Sequence, residues 1–112
     1  MEKRITMRQD MIDQYGRING DNDIVHYDAA YAKARGFRGT LAHGLHVTAY
    51  AAEVAARTYG ASWFTGGRIA TKWIAPVCPG DDVRVSLGAD GAIDARVQGG
   101  PVMVGRAELL KR

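Results

Sequence analysis

All three histidines of the chain, His26, His43 and His46, lie in the stretch from 19 to 46, which also holds Asp21 and Asp23. The segment NGDNDIVH places Asp21 and His26 five residues apart among turn-forming residues. A loop lets both side chains point into one cleft, whereas a helix would spread such a pair around its axis. A carboxylate beside an imidazole can hold and activate water, because either group trades a proton near neutral pH. Taken alone, such a pair in a polar loop is more often a cap plus a surface histidine than a dyad.

AHGLH, which follows, opens an apolar, alanine-rich run and makes Gly44 a candidate for the amide end of a helix. Free N–H groups and the positive end of the helix dipole meet there, which suits a developing oxyanion. Glycine leaves room for a ligand carbonyl to reach the backbone, or for tight packing. Together the acid, the imidazole and the amide are the parts needed to add water to, or remove it from, a double bond conjugated to a carbonyl. His43 and His46 also form H-x-x-H, but a zinc site needs a third protein ligand, and spacing supplies none. His43 is expected to bond loop backbone and His46 to line the cleft or a subunit interface. Cys78, the only cysteine, allows no intrachain disulfide and shows no base partner for a nucleophilic role.

These residues need elements to hold them. KRIT reads as an opening strand, with Thr6 capping a helix over 7–15 that Gly16 stops. DAAYAKARG reads as a short helix capped by Asp28 and stopped at Gly36, and FRGTLAHG as a loop. LHVTAYAAEVAARTY is a longer helix ending before Gly60, apolar nearly all round and so expected to be buried on most sides. RIATKWIAPV, DDVRVSLG, AIDARVQ and PVMVGRAELL read as strands, the last three as an antiparallel meander. Helices first and a sheet afterwards imply an α+β fold in a single domain over 1–112. The net charge of +3 is spread along the chain, which argues against a nucleic-acid protein. No signal peptide or membrane-length apolar run is visible, so a cytoplasmic location is expected.

Gly20-Asp21-Asn22-Asp23-Ile24-Val25-His26 resembles the Gly-Asp-x-Asn-Pro-x-His hydratase signature of the MaoC-like, (R)-specific enoyl-CoA hydratase family. FRGTLAHGLH resembles that family's lead into its central helix, and WIAPVCPGDDVRV its strand, Pro-Gly-Asp turn and strand. The likeness runs from about residue 4 to the last strand. It implies a hot-dog fold, an antiparallel sheet wrapped around a long central helix, in a homodimer or a higher assembly of dimers. It also implies that Asp21 and His26 hold the water, that the Gly44 amide binds the thioester oxygen, and that no cofactor or metal is used. The substrate would be an acyl-CoA or acyl-carrier-protein thioester.

Asp23 and His43 are substrate-binding candidates beside this cleft. Arg38 and Lys72, with Arg35, are candidates for the phosphates of the carrier. Trp63, Phe64 and Trp73 are candidates for an acyl wall, or simply for core. The family's Asn-Pro is Asp23-Ile24 here, and a second carboxylate is expected to raise one pKa of the pair. A helix serine that supports the catalytic loop in the family is Ala52 here, with Thr48 or Tyr50 as possible substitutes. A hot-dog thioesterase and a non-catalytic subunit of a heteromeric hydratase are the competing readings.

Overall fold

A computed structural model describes residues 1–110. The chain runs β1 (Glu2–Thr6), α1 (Gln9–Asn19), a 3₁₀ turn (Ile24–His26), α2 (Ala29–Ala34), α3 (Gly44–Tyr59), α4 (Ser62–Gly66), then β2 (Gly67–Trp73), β3 (Asp82–Leu87), β4 (Ala92–Val97) and β5 (Gly100–Leu109). The strands form one antiparallel sheet in the order β1-β3-β4-β5-β2. The expected meander of β3, β4 and β5 is its centre, and the fold is α+β of the hot-dog type.

Alternation explains the sheet. Val83, Val85 and Leu87 on β3, with Ile93 and Ala95 on β4, point to one buried face, while Arg84 and Arg96 point away. Against that face lies α3, which presents Val47, Ala51, Val54 and Ala55, spaced to form one apolar stripe. Met7 and Ile12 complete this core. The rest of α3 is less covered than its composition suggests. Leu45 and Ala49 are exposed, and Glu53 pairs with both Lys3 and Arg57 at its surface.

Two helix boundaries differ from expectation. Thr6 does not cap α1, because its hydroxyl is turned across the sheet to Asp82 at 2.8 Å and the helix begins only at Gln9. Nor does Gly16 end α1. The helix runs on to Asn19 and stops at Gly20, whose φ of +77° is left-handed. Gly16 serves instead as a gap into which the Tyr27 ring packs, since a Cβ there would collide with the Tyr27 hydroxyl. Asp28 caps α2 as expected, accepting from the Tyr31 amide. The short helix α4 carries no apolar period and was not visible in the sequence.

Candidate active site

Between α1 and α2 the chain folds as a ladder of side-chain turns. Asn19 accepts from the Asp21 amide at 2.8 Å, Asp21 from the Asp23 amide at 3.0 Å, and Asp23 from the Val25 amide at 3.1 Å. Asn and Asp at alternate positions favour this geometry, because each short side chain reaches the amide two residues on. The ladder leaves Asp21 Oδ2 facing His26 Nε2 at 3.3 Å. Asp21 is half exposed, whereas the His26 side chain is largely covered.

The other His26 nitrogen, Nδ1, lies 2.8 Å from the Leu41 carbonyl. A carbonyl only accepts, so Nδ1 carries a proton and Nε2 is the nitrogen whose proton can come and go. The Asp23 amide, and then the charge of His26, hold the Asp21 carboxyl below its ordinary pKa despite some burial. The rise expected from a neighbouring carboxylate does not occur, because Asp23 turns its own side chain to Val25 and offers Asp21 its backbone N–H.

Gln9 and Tyr27, which no local sequence pattern marks, hold this loop. Gln9 donates to the His26 carbonyl at 2.9 Å and to Asp13, and accepts from Thr40, tying α1 to both loops. The Tyr27 hydroxyl donates to the Asp21 carbonyl and meets His43 Nε2 at 3.3 Å. With the tyrosine proton committed, His43 must donate from Nε2. Its ring stacks on His26 with centroids 3.8 Å apart. Burial, then the charge of His26, lowers the His43 pKa and favours the neutral form. Thr48 and Tyr50 do not take the serine's place, since Thr48 bonds Thr71 and Trp73 and Tyr50 bonds His46.

His46 does not line the cleft. It is buried, stacked on Tyr15 at 4.4 Å and bonded to the Tyr50 hydroxyl at 2.8 Å. The H-x-x-H spacing is therefore no ligand pair. Asp21, His26 and His43 do offer ligand atoms within 4.8 Å of one another. However, the two imidazoles are stacked 24° from parallel, which sets their in-plane lone pairs side by side instead of converging on one ion.

Gly44 opens α3, and no side chain caps that end. His26 and Gly44 both line a cavity of about 330 Å³, otherwise walled by apolar side chains including Phe37, Val47, Trp73, Val102 and Met103. Of the candidate phosphate ligands, Arg38 forks onto the buried Asp81 at 3.1 and 2.9 Å and so anchors the loop that carries Leu41 and His43. Arg35 lies over the Tyr31 ring. Lys72 alternates with Thr71 and Trp73, which face α3, and therefore points from the opposite side of the sheet. Trp63 stacks on Tyr59, and Phe64 is exposed, so of the three aromatics only Trp73 reaches the cavity. Cys78 is buried, with its thiol pKa raised by that burial.

Comparison with known proteins agrees with this architecture. No curated protein matches the sequence. A chain of the ChsH1-ChsH2 complex from Mycobacterium tuberculosis superposes with a TM-score of 0.81 at 20% identity, over 100% of this chain and 94% of that one. The (R)-hydratase from A. caviae involved in PHA biosynthesis gives 0.74 at 18%, over 99% and 95%. R-hydratase PhaJ1 from Pseudomonas aeruginosa gives 0.76 at 25%, over 100% and 80%. The sequence profile described as "MaoC like domain" matches residues 1–108, and with a hydratase-type hot-dog fold around this cleft the chain belongs to that family.

Proposed function

We propose that the protein is a hydro-lyase acting on a trans-2-enoyl or (R)-3-hydroxyacyl thioester of coenzyme A or an acyl carrier protein. The observation that carries this reading is the 3.3 Å approach of Asp21 Oδ2 to His26 Nε2, with His26 lining an apolar cavity that begins at the N-terminus of α3. Asp21 and His26 hold one water. As its oxygen bonds to the β-carbon, the pair takes the water proton, and the electrons of the double bond move toward the thioester carbonyl. The Gly44 amide receives the developing oxyanion, and the α-carbon then takes a proton back from the pair. Run in reverse, the same steps dehydrate the hydroxyacyl thioester. The thioester is itself the electron sink, so this scheme uses no cofactor.

Asp21→Asn and His26→Ala are each expected to slow hydration of crotonyl-CoA by about 10²–10⁴-fold with unchanged far-UV circular dichroism. Parent-like rates in both variants would remove the dyad. Release of free thiol in place of lost enoyl absorbance would assign the cleft to thioester hydrolysis. We infer a homodimer, consistent with the exposed Leu45 and Ile74, and a cytoplasmic location. Because one similar chain comes from a complex of two named proteins, a heteromeric subunit is the second reading. Light scattering and the hydration assay on the purified chain alone separate the two.

A further inference from the structure

The walls of the cavity differ in what would have to move to enlarge it. Val47, Val77, Val102 and Met103 are all buried in the core between α3 and the sheet. Moving any of them disturbs close-packed structure. Trp73 is different. It is the last residue of β2, an outer strand of the sheet, and the residue is 53% exposed although it lines the cavity. It is nevertheless fixed at two points. Its indole rests against the α3 backbone so closely that a Cβ on Gly44 would lie 2.5 Å from the ring. One turn further along the helix, its Nε1–H donates to Thr48 Oγ1 at 3.0 Å.

We propose that Trp73 is the specificity-determining residue of this cleft, a hydrogen-bonded indole wall that sets how long and how bulky an acyl group is accepted. This rests on the thioester reading given above and deepens it. A thioester held at Gly44 lies in contact with the indole, so the acyl group must run beside it. The part of Trp73 left in water gains by being covered with an apolar chain. A dry cavity of about 150 Å³ holds a benzene molecule, so about 330 Å³ accommodates roughly a dozen carbon atoms, fewer where it opens to solvent. The preferred substrate class is thus a medium-length acyl thioester. Beyond the indole, the Thr48 hydroxyl lies 2.9 Å from that of Thr71 and 3.5 Å from Met103 Sδ. Removing the ring opens the cavity along α3 toward these atoms and leaves the core walls in place.

The test uses the full chain and straight-chain trans-2-enoyl-CoAs from crotonyl- to dodecenoyl-CoA. In Trp73→Ala, the ratio of kcat/KM for the longest substrate to that for the shortest should rise about tenfold or more. Trp73→Phe and Thr48→Val, which shrink or unfasten the wall without emptying it, should move the ratio in the same direction by less. They carry the test if Trp73→Ala does not fold. A uniform change across all chain lengths would overturn the proposal. Should no enoyl-CoA be hydrated, the function reading fails, but the wall can still be judged. Trp63→Phe leaves Trp73 as the sole tryptophan, and this protein is titrated with saturated acyl-CoAs of increasing length. Length-dependent affinity with a shift in Trp73 emission supports the wall. Emission that does not respond to any chain length removes it.

Discussion

His26 is defined by what each of its nitrogens touches. Nδ1 is occupied by the Leu41 carbonyl, so acid–base exchange is confined to the side facing Asp21. The Tyr27 hydroxyl acts one step further back, joining the Asp21 backbone to His43 Nε2. Tyr27 is a positioning residue in this arrangement. Tyr27→Phe should keep the ring in the gap over Gly16 but release the Asp21 carbonyl and leave the His43 N–H unpaired. We expect turnover to fall about three- to thirty-fold, with KM nearly unchanged and stability lower by about 1 kcal/mol. Steady-state kinetics and urea unfolding check the two parts. A matching rise in KM would instead place Tyr27 against the substrate.

At the scale of elements, the loop before α3 is held from below by the turn before β3. Asp81 is buried and accepts from Arg38, from Gln98 Nε2 at 2.9 Å and from the Cys78 amide at 2.9 Å. The Asp81 carbonyl and the Gly80 amide also bond Met7, so the same turn fixes the exit of β1. Burial alone would raise the Asp81 pKa, but Arg38, the Cys78 amide and Gln98 outweigh it and hold the carboxyl below its ordinary value. Asp81→Ala strands a buried amide and frees Arg38, so it should cost about 2–4 kcal/mol in urea unfolding. The Pro79-Gly80-Asp81 turn was legible in the sequence as a turn. Its function as a latch for the Arg38 loop was not, because the partners are 43 residues apart.

At the scale of the whole molecule, the histidines couple folding to pH. Burial, followed by a neighbouring imidazole charge, lowers the pKa values of both His43 and His46 from 6.5. Below that value the unfolded chain binds protons that the folded chain refuses, so stability should fall as pH drops from about 7 toward 5. The slope approaches about 1.4 kcal/mol per pH unit for each such group. A second loss follows in stronger acid, as the depressed Asp81 carboxyl is finally protonated. Urea midpoints measured across this range test the sign. His46→Phe, which keeps a ring against Tyr15, should flatten the first window, and an unchanged slope would show that His46 does not contribute to it.

Local chemistry was sufficient to indicate the strands, the long helix and the loop dyad. Alternation, a run of small apolar residues and an Asp-rich turn each act over a few neighbours and leave their mark in order along the chain. The resemblance of residues 20–26 to a hydratase signature rests on the same short range. What the sequence could not indicate depends on distant residues meeting. Gln9 reaches His26, Tyr27 fills the space over Gly16, Arg38 forks onto Asp81, and Trp73 settles on Gly44. None of these contacts has a period or a propensity, because each exists only when helix and sheet close on a shared core and every buried polar group must find a partner there.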